Sequence, residues 1–274
     1  MTINCRGKLI DLSSPKVMGI LNITPDSFYD GGHYASEKEV LLQVEKMLND
    51  GADFIDVGGM SSRPSAEIVS ADKELERILP YVINITKEFP QAIISVDTIH
   101  SGVAEKVLDI GVHLINDISA GRFDTGMLET VAKHQVPYII MHMQGLPAYM
   151  QKEAFYNNVT TEVYDFLLKR IKACRNAGIV DTIIDVGFGF GKTIEHNYTL
   201  LKNLKYFSHL NLPMLAGVSR KSMICKVLGV NPDKALNGTT AVNTIALMNG
   251  ANILRVHDVK EAKQIIDIFK TYQA

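Results

Sequence analysis

Eight short apolar runs in this chain lead into polar or charged residues. In order these are Asn22, Asp56, Asp97, Asn116-Asp117, Met141-His142, Asp185, the stretch Gly217 to Lys221, and Arg255-x-His257. Asp97, Asn116, Asp185 and Lys221 offer carboxylates, an amide and a cation. That set suits a flat heterocycle presenting an amino group, a ring N–H and a carbonyl, because buried carboxylates are tolerable only when such donors satisfy them. Asn22, Arg63, Arg255 and His257 offer neutral and cationic donors suited to an anion such as a diphosphate. One pocket with two halves is implied. Taken singly, Asp97-Thr98 and Asn116 to Ser119 could instead cap the helices that follow. Capping explains neither the Arg and His after the eighth run nor an Asp185 placed just ahead of a glycine run.

Residues so spread must be gathered by the fold. The apolar runs predict strands at Val17 to Ile23, Phe54 to Val57, Ala92 to Val96, Val112 to Ile115, Pro137 to Met141, Thr182 to Val186, Pro213 to Val218 and Asn252 to Val256. Amphipathic stretches predict helices at Glu37 to Asn49, Asp72 to Lys87, Val103 to Asp109, Thr125 to His134, Val159 to Asn176, Asn197 to Asn203, Lys234 to Asn249 and Val259 to Tyr272. Gly51, Gly111 and Gly250 follow three of these helices, where a left-handed residue ends the helix before the next strand. The alternation predicts an α/β protein, a (β/α)8 TIM barrel in one domain over residues 1–274. Ile3 to Leu12, with Arg6-Gly7 inside, predicts a short β-hairpin plugging the N-terminal end. In such barrels function sits at the carboxyl ends of the strands, where the polar residues fall.

Composition narrows the partners. The 274 residues are 46% hydrophobic and 21% charged with a formal net charge of -2, and the pI is about 6.4. This is the balance of a globular protein without the basic footprint of a nucleic-acid or membrane-surface binder. No apolar run approaches the ~20 residues of a membrane span, and the N-terminus lacks a signal core, so a cytoplasmic setting is expected. Cys5, Cys174 and Cys225 are scattered without CxxC spacing and predict neither disulfides nor a zinc site. Cys174 and Cys225 are expected in helices away from the strand ends.

Two long loops, Asn22 to Gly32 and Gly58 to Ser65, carry glycine and proline and begin at the catalytic face, as lids do. The run Gly187-Phe-Gly-Phe-Gly-Lys192 invites a nucleotide reading that fails on spacing, since position 186 is Val and Lys192 stands where a dinucleotide fingerprint needs glycine. It predicts a tight turn bringing backbone and Phe190 against a flat ligand.

Met18 to Gly32, Ile94 to Thr98, Ile115 to Ile118, Met141 to Gly145, Gly187 to Lys192, Gly217 to Met223 and Arg255 to Asp258 resemble, in order, the motifs of the dihydropteroate synthases. The resemblance spans nearly the whole chain. It implies a reaction in which p-aminobenzoate displaces diphosphate from 6-hydroxymethyl-7,8-dihydropterin diphosphate during folate synthesis. It further implies a pterin site of Asp97, Asn116, Met141, Asp185, Gly217 and Lys221, and a diphosphate site of Asn22, Arg63, Arg255 and His257. Asn22 would ligate a magnesium ion. The p-aminobenzoate site would comprise Phe28, Ser62, Pro64, Phe190 and Ser219, and the catalytic set Asp30, Arg63, Lys221, Arg255 and His257. Small-molecule substrates and a homodimer are expected, with sulfonamides as inhibitors of the family. Met60, Ser62, Ser65, Val186 and Tyr29 depart from the common family pattern, and none removes a charged or metal-binding group. The other readings are a pterin-binding methyltransferase, which would not need the Arg255-x-His257 anion site, and a non-enzymatic pterin-binding homologue, which would be favoured by loss of Asn22, Arg63, Lys221 or His257.

Overall fold

The computed structural model describes residues 1–23, 37–60, 68–145 and 154–273. Among these, β1 (Thr2–Cys5) and β2 (Lys8–Asp11) form an antiparallel hairpin. Eight parallel strands follow: β3 (Lys16–Asn22), β4 (Phe54–Gly58), β5 (Ile94–Asp97), β6 (Leu114–Asp117), β7 (Tyr138–Met141), β8 (Thr182–Asp185), β9 (Met214–Ala216) and β10 (Ile253–Val256). They close into a barrel when β10 pairs with β3. The helices between and after them are α1 (Glu37–Asn49), α2 (Ala71–Glu88), α3 (Ser101–Asp109), α4 (Met127–His134), α5 (Val159–Ala177), α6 (Ile194–Lys202), α7 (Ser222–Leu228), α8 (Leu236–Met248) and α9 (Val259–Gln273). The expected barrel and hairpin are both present.

The strand period of two decides what each residue does. Val17, Leu21, Ile55, Val57, Val96, Ile115, Ile140, Ile184 and Leu254 point outward and pack in one apolar core with the helices. The alternate positions form a second, smaller cluster: Met18, Phe54, Ile93, Leu114, Ile139, Ile183, Leu215 and Ile253, joined by Ile3, Cys5 and Leu12 of the hairpin region. This is the apolar floor of the barrel, plugged from below. Two residues further along the same eight paths stand Ile20, Asp56, Ser95, Asn116, Met141, Asp185, Gly217 and Arg255. Five of these eight are polar or charged, and this layer is where the site begins.

Several boundaries differ from the expected ones for local reasons. The sixth strand begins at Leu114 rather than Val112, because Val112 N still bonds Val107 O as the chain leaves α3, with Gly111 at φ 103°. Asn116 pairs with Asp97 and Asp117 with Ile140, so both lie inside β6, not after it. In β9, Pro213 has no N–H to give, and Val218 O already accepts Lys221 N in the following turn. Helix α6 starts at Ile194, earlier than Asn197, since Thr193 and His196 form a reciprocal capping box. The helix carrying Cys225 is the separate two-turn α7, and a 3-10 turn over Pro232–Lys234 delays α8 to Leu236.

Candidate active site

Asp56 is the centre of the polar layer. It is 0% exposed, and its Oδ2 accepts both Asn116 Nδ2 at 2.9 Å and Arg255 Nε at 2.6 Å. Arg255 then reaches Asp97 Oδ2 through Nη2 at 2.8 Å. One guanidinium thus spans the lumen between two carboxylates, a geometry lysine could not supply. Burial alone would lower the Arg255 pKa, but Asp56 and Asp97 more than offset it and hold the cation. Asp97 is pushed up to about 7 by burial, with Arg255 opposing and Asp56 reinforcing. The capping role considered for Asp97 is absent: its carboxylate faces Arg255. Asp117 does bind locally, accepting Ser119 N, Gly121 N and the Tyr138 hydroxyl, and so belongs to the scaffold.

Asp185 and Lys221 face each other across Gly217. A Cβ on that glycine would lie 3.8 Å from Lys221 Nζ and 3.9 Å from Asp185 Oδ2. Asp185 Oδ1 accepts Gly187 N at 2.7 Å, and burial raises its pKa against the opposing pull of Lys221. Lys221 Nζ donates to Phe188 O at 2.6 Å and lies 4.7 Å from the centroid of the Phe190 ring. Burial lowers its pKa to about 8, with Asp185 opposing. Phe190 belongs to an apolar patch with Met60, Ile99, Ile118, Met141 and Met143 at this end of the barrel. Carboxylates and cation on one side and this patch on the other suit a flat, polar-edged ring.

The glycine turn after β8 is as tight as its sequence predicts. Gly187 has φ 69°, and a Cβ there would meet His142 O at 1.9 Å. Gly187→Ala is therefore expected to destabilise the fold by roughly 2–5 kcal/mol, combining a left-handed alanine with overpacking against backbone. Urea unfolding checks this, and a midpoint equal to wild type would contradict it. Lys192 turns inward and donates to backbone carbonyls, unlike a phosphate-binding lysine.

At the rim, His257 Nδ1 lies 3.0 Å from Ser219 Oγ, and His257 N donates to the same oxygen at 3.2 Å. The imidazole edge reaches solvent, yet the dense surroundings desolvate it and Arg255 and Arg220 add to the effect, bringing its pKa to about 4. Arg220 holds Asp258 through two bonds, at 3.0 and 2.5 Å, which ties the turn after β9 to the end of β10. Asn22 ends β3 close to Gly58, whose Cβ would sit 3.5 Å from the Asn22 side-chain oxygen.

The structure thus brings together Asn22, Asp97, Asn116, Met141, Asp185, Phe190, Gly217, Ser219, Lys221, Arg255 and His257 at one end of the barrel. Phe28, Asp30, Ser62, Arg63 and Pro64, with residues 24–32 and 61–65 of the two expected lids, lie outside the described residues. Asp56 was visible in sequence only as one polar strand end. Its signal was a lone carboxylate in the otherwise apolar Phe-Ile-Asp-Val run.

A profile of pterin binding enzymes matches residues 18–257. The chain is 46% identical to the dihydropteroate synthase of Haemophilus influenzae over 276 aligned residues, covering 100% of this chain and 98% of that one. Its fold is similar to that of a Yersinia pestis dihydropteroate synthase crystallised with a sulfonamide drug, with a TM-score of 0.94 at 43% identity, covering 100% and 99% of the two chains. A Xanthomonas albilineans dihydropteroate synthase in complex with 7,8-dihydropteroate matches with a TM-score of 0.90 at 35% identity, covering 100% and 99%. A barrel whose polar layer, rim histidine and glycine turn sit within the matched residues, together with full-length identity of this order, places the chain in the pterin-binding enzymes, and it belongs to the dihydropteroate synthase family.

Proposed function

We propose that this protein joins 6-hydroxymethyl-7,8-dihydropterin diphosphate to p-aminobenzoate, releasing 7,8-dihydropteroate and diphosphate. The observation that carries the reading is the lumen layer itself: Asp56, Asn116, Asp185 and Arg255 on one level, with Asp97 and Lys221 beside it and the Met141 and Phe190 patch flanking it. Carboxylates of Asp97 and Asp185 accept the pterin's N–H groups, and Asn116 and Lys221 donate to its carbonyl and ring nitrogens. The ring is held edge-on by charge and covered on its face by thioether and phenyl carbon.

The diphosphate half is formed by Asn22, Arg255 and His257, with Arg63 expected to join them. Arg255 and His257 donate to the leaving group as negative charge develops on it, while the arylamine nitrogen attacks the methylene carbon and gives up a proton to solvent. The Ser219 hydroxyl keeps the His257 ring aimed. Positioning and electrostatics carry the catalysis, without a covalent nucleophile. Magnesium fits this half. Among the described residues no cluster of three His, Cys, Asp or Glu could enclose a metal, and one neutral oxygen from Asn22 suits an ion that takes its remaining ligands from phosphate and water. When bound, it would offset diphosphate charge. Phe190 and Ser219, with Phe28, Ser62 and Pro64, are assigned to p-aminobenzoate, and Asp30 to the closing loop.

We also assign the protein to the cytoplasm, on the strength of three free buried thiols. No described helix is long and apolar enough to cross a membrane. A homodimer would cover the exposed Leu228, Ile245 and Met248 on α7 and α8.

The reading is tested by incubating the enzyme with the pterin diphosphate, magnesium and p-aminobenzoate and separating the products by chromatography. 7,8-Dihydropteroate is expected, and its absence would overturn the assignment. A pH profile adds a second check. Lys221 is protonated below about 8, so kcat/KM should fall as pH rises through that value and the ammonium is lost. A flat alkaline profile to pH ~10, near the ordinary lysine pKa, would remove Lys221 from the pterin edge.

A further inference from the structure

The lysine of the glycine turn takes no part in the chemistry above, yet it is 2% exposed. Its Nζ donates to Gly187 O at 2.8 Å, Phe190 O at 3.0 Å and His142 O at 3.3 Å, and lies 2.9 Å from His142 Nδ1. Three carbonyl oxygens from two separate loops converge on one point. Buried lone pairs so arranged repel one another and need a donor at their centre. The loops can approach this closely because Gly187 and Gly191 have no Cβ: one added at Gly191 would meet Gln144 O at 2.4 Å. His142 is neutral, its pKa brought to about 2 by burial with Lys192 and Arg122 adding, so Nδ1 at 2.9 Å competes with the more distant His142 O for the third hydrogen of the ammonium. Its ring is fixed edge-on to Phe166 at 4.8 Å.

The opposite side of the same turn faces the pocket. Gly187 N bonds Asp185, Phe188 O receives Lys221, and the Phe190 ring lies against the Lys221 ammonium. Each residue given to the pterin's edge at this end is thus braced by a turn whose shape one buried nitrogen sets.

We propose that Lys192 is a positioning residue for the pterin: by gathering the carbonyls of Gly187, Phe190 and His142, it holds the turn that aims Asp185 and Lys221 at the ring. The proposal rests on the pterin-site reading and deepens it. Lys192 touches no substrate, so its loss acts on affinity and leaves the reacting atoms alone. A merely structural lysine would behave differently, lowering the melting temperature and the fraction of competent sites without changing the affinity of those that remain.

Calorimetric titration of a hydroxymethylpterin lacking diphosphate into wild type, Lys192→Met and His142→Phe separates the two. With Lys192→Met, Kd should rise about 30- to 100-fold at unchanged stoichiometry, and kcat should change less than about threefold. His142→Phe keeps the ring against Phe166 and removes one acceptor, so Kd should rise about fivefold, as for one lost hydrogen bond. Wild-type Kd in folded Lys192→Met, or fewer sites at unchanged Kd, overturns the proposal. If Lys192→Met does not fold, His142→Phe decides, and a wild-type Kd there overturns it equally. No pterin binding by the wild type would instead overturn the functional reading, and this inference with it.

Discussion

Asp185→Asn should weaken pterin binding by about 10- to 100-fold, with little loss of stability. The carboxylate serves two directions at once, accepting Gly187 N through Oδ1 and facing Gly217 and Lys221 through Oδ2. An amide keeps the shape but turns one oxygen into a donor. That donor must point either at the Gly187 N–H or at the Lys221 ammonium and the pterin N–H groups, and both arrangements oppose like with like. Hydrogen bonds to a charged group contribute about 1.5–3 kcal/mol, which corresponds to the stated range at about 1.4 kcal/mol per tenfold. Calorimetry with a pterin measures it, and wild-type affinity in the variant would place Asp185 outside the pocket.

The second large effect belongs to Arg255 and divides it from His257. From sequence the two form one anion-binding unit. In the structure Arg255 is also the counter-ion of Asp56 and Asp97, whereas His257 sits at the rim, held by Ser219. Arg255→Ala leaves Asp56 buried without its cation, and breaking a buried pair from one side costs about 3–5 kcal/mol. Stability, affinity for a plain pterin and affinity for the pterin diphosphate should all fall. His257→Ala should weaken only the diphosphate-bearing ligand, by about tenfold for a lost bond to a charged acceptor. Urea unfolding paired with the two titrations checks this. Equal losses with both ligands in His257→Ala would make the histidine a support of the barrel, and an unchanged unfolding midpoint in Arg255→Ala would deny the bridging role.

Much of this was legible in the sequence because each strand is a short apolar run ending in polar residues, and because Gly51, Gly111 and Gly250 do take positive φ between helix and strand. The pterin-edge residues Asp97, Asn116, Asp185 and Lys221 were readable for the same reason. The partnerships among them were not. Asp56 meets Arg255 only because β10 closes onto β3 and so returns to β4, a contact across 199 positions set by barrel closure. Lys192 was visible as the end of a glycine motif, but its contact with His142, 50 positions away at the neighbouring strand end, was not. The start of β6 is not legible in sequence, since Val112 and Leu114 are equally apolar and only the helix-exit bond to Val107 O separates them.

The reaction proposed for this site is loss of diphosphate from a pterin diphosphate, bound across the polar layer and the rim, to an arylamine. Its most direct test is diphosphate release from the pterin diphosphate with magnesium, measured with and without p-aminobenzoate. Release that accelerates in a saturable way with the amine, matched mole for mole by 7,8-dihydropteroate, is the predicted result. Turnover that is the same without the amine, or no release at all, would contradict the account.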